Sequence, residues 1–285
     1  MAMLNQIKTV ILLGLLTGIL LGIGSLWGSY GLTIALAFSI IMNFGAYWFS
    51  DKIALAMYRA KPVTEKEEPK LYRIIREVSQ KAKIPMPRVY VIPASFANAF
   101  ATGRSPKNSA IAVTRGILEL LNEEELKGVI AHEISHIKNR DTLIQSVAAM
   151  IAGVISYIAF VARWGAVFWG ARDREGNGAY ILELLFLVIL APLLATIIRL
   201  AISRSREFLA DESGARILHS GYGLASALEK LERATQRIAL RPNMQTGATA
   251  HLFITNPFKG RAILNLFMTH PPTEVRVKRL RSMRF

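Results

Sequence analysis

The pentapeptide His132-Glu133-Ile134-Ser135-His136 puts two imidazoles and a carboxylate where they can do joint chemistry. On a helix, residues four apart share one face, with Cβ atoms about 5–6 Å apart. His132 and His136 can therefore share one Zn2+ at about 2.0–2.1 Å from each nitrogen. Glu133 is out of phase with that stripe and cannot join as a ligand. It is placed instead to take a proton from a water that the metal polarises. A catalytic zinc site uses three protein ligands and keeps a fourth position open. Glu207, in the segment SRSREFLADESGA at 203–215, is the candidate third ligand. Asp211, four residues on, could orient a ligand imidazole through its second nitrogen. The plainer alternatives are a chance HExxH on a charged helix, and Glu207 and Asp211 on a solvated face paired with Arg204 and Arg206.

These residues need a helix and a scaffold. In LNEEELKGVIAHEISHIKNRD, Asn122 with Glu125 three residues later is a capping box, and Leu126, Val129, Ile130, Ile134 and Ile137 form an apolar stripe. Upstream, Leu71, Ile74, Ile75 and Val78 have helical spacing over 69–81. Segments 88–93 (RVYVIP) and 109–114 (SAIAVT) read as short strands, with the turn-rich GRSPKN at 103–108 between them. Asn98 and Ala112 are candidate substrate-binding residues, on the expectation that 109–114 is an edge strand to which an extended peptide adds.

Composition explains where this scaffold sits. Of 285 residues 52% are hydrophobic and 19% charged, yet 35 Lys+Arg against 20 Asp+Glu leave a formal charge of +15. Such a chain is too apolar to be disordered. With no Cys it has neither a disulfide framework nor a thiolate metal site. The apolar residues fall into four runs, at 10–27, 32–49, 143–161 and 180–203. A helix needs about 20 residues to cross a bilayer core, so the first two read as a membrane hairpin. A cleaved signal peptide fits poorly, because a second run follows at once. The later runs carry Glu183 and Arg199 near the ends and Pro192 inside, and also read as spans; the alternative is a pair of buried core helices.

Trp27, Trp48, Trp164 and Trp169 flank the runs as interfacial aromatics do. Gly14, Gly18 and Gly22 make a small-xxx-small stripe suited to close helix contact. Lys8 before the hairpin and Lys52, Arg59 and Lys61 after it place both flanks in the cytoplasm. Runs three and four must both cross, or neither, for Glu207 to meet the histidines. The positive charge is accounted for by topology and attraction to anionic lipid, and no nucleic-acid module is present.

With NAFATG (98–103), AHEISHIKNRD (131–141), SRSREFLAD (203–211) and THPPTEVRVKRL (269–280) in this order, nearly the whole chain resembles the HtpX group of integral-membrane zinc metalloproteases, relatives of the CAAX prenyl protease. The resemblance implies His132, His136 and Glu207 as ligands of one Zn2+ per chain, Glu133 as catalytic glutamate, and Asp211 behind a ligand as in gluzincins. It also implies a quality-control endopeptidase acting on misfolded or damaged membrane proteins, in the inner membrane of a prokaryote.

The expected fold is mainly α: a multi-spanning helical membrane protein whose cytoplasmic gluzincin-like region contains a small β-sheet. It divides into a hairpin at 1–50, a protease region at 51–142, a second hydrophobic hairpin at 143–203, and a cytoplasmic segment at 204–285 with the third ligand. His270 in THPP is a candidate electrophile near the oxyanion, or an anchor for the C-terminal segment. Arg276 and Arg279 read as salt-bridging or lipid-facing, and His219 and His251 as structural. The rival readings are a prenyl-protein-type protease, an intramembrane protease (disfavoured by Glu123, Glu124, Glu125, Lys127, Lys138 and Arg140 around the motif), and a membrane scaffold with a fortuitous HExxH.

Overall fold

The structure, a computed structural model, describes residues 2–25, 28–148, 151, 204–237 and 271–285. Runs three (beyond its start) and four, Trp27, Trp164, Trp169, His251 and His270 lie outside them.

The first two apolar runs form α1 (Ala2–Ser25) and α2 (Gly28–Met57), packed on each other along their lengths. Both contain windows long and apolar enough to span a bilayer, Ile7–Ser25 and Gly28–Phe49. Val10, Ile34, Ile41 and Phe44 point outward, an apolar surface suited to lipid and costly in water. Inside the hairpin, Asn43 Nδ2 donates to Thr17 Oγ1 at 2.7 Å. The glycine stripe does not make the contact expected of it: a Cβ on Gly14, Gly18 or Gly22 would meet nothing within 4 Å. The close approach is two residues later, where Gly24 sits against Ala35 and the Gly31 carbonyl. The third run begins helically at 142–148. Its Ile144, Val147, Ala148 and Ile151 bury against Leu12, Leu16 and Leu20 of α1 and Ala46 of α2.

Four strands, β1 (Lys61–Pro62), β2 (Arg88–Ile92), β3 (Ala99–Ser105) and β4 (Asn108–Thr114), make one sheet in the order β1-β2-β4-β3. β4 runs parallel to β2 and antiparallel to β3. This corrects the expectation for 109–114. Ala112 faces Tyr90 on one side and Phe100 on the other and is fully buried, so β4 has no free edge to offer a peptide. Among the described residues the two edge strands are β1 and β3, and β3 is the one beside β4.

Side-chain alternation then divides the sheet. Val89, Val91, Ala99, Ala101, Ile111 and Val113 join the main core with α3 (Pro69–Ala82) and α5 (Glu123–Lys138). Phe100, Ala110 and Ala112 pack instead on Ala54 and Leu55 at the end of α2. The sheet is thus a layer between the helix of the HExxH and the base of the hairpin. Short α4 (Arg115–Leu120), capped by the Thr114 hydroxyl, leads from β4 into α5.

α5 crosses the centre of the core between α6 (Arg204–Leu218) and α7 (Tyr222–Arg237), and α8 (Thr273–Ser282) closes over α6 and α7. Gly128 brings the α5 backbone against Leu224, and Gly214 brings α6 against the backbone of Ala131 and His132. Gly214 lies three residues after Asp211 and seven after Glu207, on the same helix face. Its missing side chain is what lets those carboxylates reach α5.

Candidate metal centre

The capping box forms as the sequence predicts. Asn122 Oδ1 accepts from the Glu125 N–H and Glu125 Oε2 from the Asn122 N–H, both at 2.9 Å. From that fixed start, α5 turns His132, Glu133 and His136 into the protein; all three are buried. The His132 and His136 rings stand edge to face, and their Nε2 atoms come within 3.2 Å of each other. Glu207 of α6 completes the group. Its Oε1 lies 3.5 Å from His136 Nε2 and its Oε2 3.7 Å from His132 Nε2.

The three residues offer ligand atoms all within 4.8 Å of one another. A tetrahedral ion with bonds of about 2.0–2.1 Å holds its ligand atoms about 3.3–3.4 Å apart. The closest approaches lie near that edge length, the two from Glu207 ending on different oxygens, and the donor set suits a single metal ion.

Each imidazole is held from behind. His132 Nδ1 lies 2.9 Å from Asp211 Oδ1, one turn along α6 from Glu207. Asp211 in turn takes two bonds from the guanidinium of Arg276 in α8, at 2.7 and 2.8 Å. His136 Nδ1 lies 3.1 Å from Asp141 Oδ2. Glu133 points to the other side, where its Oε2 accepts from the Ala101 N–H of β3 at 2.8 Å. That bond shows the outer edge of β3 facing the metal helix.

The electrostatics follow from burial and these pairings. Burial raises the Glu133 carboxyl above its ordinary value, against the pull of His132, His136 and the Ala101 N–H. Burial alone would lower His136, but Asp141, Glu207 and Glu133 reverse this and push it up to about 9. Burial would likewise raise Asp211, yet Arg276 and His132 hold it well below the usual carboxylate range. Four buried carboxylates (Glu133, Asp141, Glu207 and Asp211) meet two buried guanidiniums here, Arg206 and Arg276, among the described residues.

Thus the sequence-predicted His132, Glu133, His136, Glu207 and Asp211 come together. Arg276 makes the expected salt bridge, though to the centre itself, while Arg279 stacks on Phe208 with 4.2 Å from guanidinium to ring centroid. Asn98 is buried at the head of β3, its backbone paired with Thr114. His219 is exposed in the left-handed turn that ends α6. Sequence reasoning missed Asp141 and the Ala101 N–H. The first had a signal, since a buried-helix histidine five residues before an acid at the helix stop brings the two together.

Comparison with known proteins agrees with this geometry. Residues 65–284 match Peptidase family M48. The chain is 51% identical over 282 residues to a "Protease HtpX homolog" of Syntrophobacter fumaroxidans, covering 98% of this chain and 99% of that one. It is 51% identical to the Pyrococcus furiosus protein of the same description (97% and 95% covered) and 52% identical to that of Persephonella marina (98% and 98%). Among solved structures, the crystal structure of S. mikatae Ste24p matches with a TM-score of 0.49 and 17% identity, over 98% of this chain and 67% of that chain. The chain belongs to peptidase family M48 and, within it, to the HtpX metalloproteases.

Proposed function

We propose that this chain is a membrane-anchored zinc endopeptidase whose ion is held by His132, His136 and Glu207. The observation that carries this is the convergence of their ligand atoms within 4.8 Å, with Glu133 on the adjoining helix position. A zinc ion bound there supplies Lewis-acid polarisation of the scissile carbonyl and lowers the pKa of the attacking water. Glu133 takes that water's proton and returns it to the leaving amine, its carboxylate aimed by the Ala101 N–H. Asp211 and Asp141 keep the ligand nitrogens turned inward. His270, six residues before Arg276 in the chain, is assigned to the developing oxyanion.

An extended peptide pairs with the Asn98 end of β3, before Ala101 and Gly103, whose outward groups already bond Glu133 and Thr142. Two spans close to the site, with Lys8, Lys52, Arg59 and Lys61 at their outer flanks, support a cytoplasmic active site on a prokaryotic inner membrane. Runs three and four cross as a second hairpin, giving the division 1–50, 51–142, 143–203 and 204–285. Its substrates are unfolded or damaged membrane proteins emerging at the inner leaflet. The test is Glu133→Gln in purified protein. Zinc content equal to wild type with casein cleavage lost supports the assignment, and continued cleavage overturns Glu133 as the base.

A further inference from the structure

α5 ends in a way that has a second use. The N–H of Arg140 donates to the Ile137 carbonyl at 3.1 Å and the N–H of Asp141 to the His136 carbonyl at 2.9 Å. With Arg140 in the left-handed conformation (φ 59°), these are the two bonds of a Schellman stop. In that motif the residue after the left-handed one folds back over the residue five before it, usually as an apolar contact. Here the pair is Asp141 and His136, and the contact is a carboxylate against the ring nitrogen of a metal-site histidine.

Asp141 is also where the next helix starts, because its carbonyl accepts the N–H of Gln145. That helix is fixed on two sides. The Thr142 hydroxyl donates to the Gly103 carbonyl at 2.7 Å, and Ser146 Oγ lies 2.7 Å from Thr102 Oγ1, both on β3. Ile144, Val147, Ala148 and Ile151 bury against Leu12, Leu16, Leu20 and Ala46 of the hairpin.

We propose that Asp141 is a positioning residue for His136, and that the seating of the helix begun at Thr142 on the N-terminal hairpin sets its position. The hairpin is then part of the scaffold of the metal centre as well as an anchor. One junction serves two branches: Asp141 aims a ligand, while Thr142 and Ser146 hold the edge strand that carries the Ala101 N–H against Glu133. The inference rests on the metalloprotease reading above.

The test uses full-length protein in detergent, with zinc dissociation constants from chelator competition and with kcat and KM measured separately. Orienting groups behind metal ligands are worth about 10–100-fold in affinity. Asp141→Ala is expected to weaken zinc by that factor. Asp141→Asn, which keeps an acceptor for Nδ1–H, is expected to recover most of it. Thr142→Val, which unties the same helix from β3, is expected to raise KM or lower kcat and to weaken zinc less than Asp141→Ala does. Leu16→Ala and Ile144→Ala, both remote from the ion, weaken zinc severalfold.

Asp141→Ala binding zinc as wild type does overturns the positioning role. If that variant does not fold, Asp141→Asn and Ile144→Ala decide: a loss of zinc affinity of more than about tenfold in Asp141→Asn overturns the acceptor role, and unchanged zinc binding in Ile144→Ala overturns the coupling to the hairpin. A wild-type protein that takes up no zinc overturns the underlying metalloprotease reading instead.

Discussion

His132 is braced from far along the chain, and His136 from its own helix terminus. Behind His132 stand Asp211 on α6 and Arg276 on α8, the latter pair 65 residues apart in sequence and both buried. Behind His136 stands Asp141, five residues away, delivered by the turn that stops α5. The first brace exists only when three helices have docked. The second is built into a local turn, and needs only that the following helix be seated. The same task, holding an imidazole nitrogen toward one point, is thus solved once by tertiary packing and once by a helix stop.

The comparison can be broken hardest at Arg276. Arg276→Met removes the cation facing Asp211 and leaves that buried carboxylate with only the His132 ring as partner. Losing one partner of a buried pair costs about 3–5 kcal/mol. A large fall in the thermal midpoint together with weakened zinc binding is expected, and unchanged values of both would show that the far brace does not matter. Next comes Gly214→Val. A Cβ there already sits 3.0 Å from the backbone of Ala131 and His132, so a branched side chain must push α6 away. Overpacking of this kind costs about 1–3 kcal/mol. Zinc affinity should fall, because Glu207 and Asp211 withdraw with α6 while Asp141 stays in place.

A smaller effect tests the start of α5, away from the ligands. Burial alone would raise the Glu125 carboxyl, but Lys230, Ser226 and the Asn122 N–H together hold it below its ordinary value. A depressed carboxyl contributes stability that is full above its unfolded pKa, near 4.5, and is lost as pH falls through the lower folded value. Lys230→Met should therefore lower stability at pH 7 by about 1 kcal/mol, a difference that shrinks as the pH is taken below about 4. Urea midpoints across that range measure it, and a difference independent of pH would contradict the assignment.

The smallest effect is at the helix stop. Arg140 holds a positive φ, and Arg140→Gly relieves that backbone strain by about 1 kcal/mol, offset by the loss of the arginine's own contacts, and should leave zinc affinity unchanged. A changed affinity would mean that the arginine side chain itself helps to place Asp141.

What could be read from sequence follows the same division. The capping box and stripe of α5, the i, i+4 histidines, the i, i+4 acids of α6 and the apolar lengths of the hairpin are local patterns, and each appears where its spacing demands. β3 was not legible. Its AFATGRS is rich in Ala and Gly, poor strand formers, and it is buried on both faces, so it carries no alternation. The parallel pairing of β2 with β4 makes β4 an inner strand, and no spacing in the sequence expresses such an order. The glycine stripe of α1 misled because the close contact falls at Gly24, two residues beyond it and on another face of the helix. Arg276 could be expected to form a salt bridge, but its partner is a matter of tertiary docking. Asp141 was the missed opportunity, being local.

The lateness of α8 has a consequence in time. A chain is made from its N-terminus at about 5–20 residues per second, so the 65 residues separating Asp211 from Arg276 take roughly 3–13 s to follow. Through that interval the histidines, Glu133 and Glu207 have all been synthesised, yet the guanidinium that neutralises Asp211 has not. The metal-site residues are thus all made before the far brace of His132 is complete, and that brace forms only once α8 has followed.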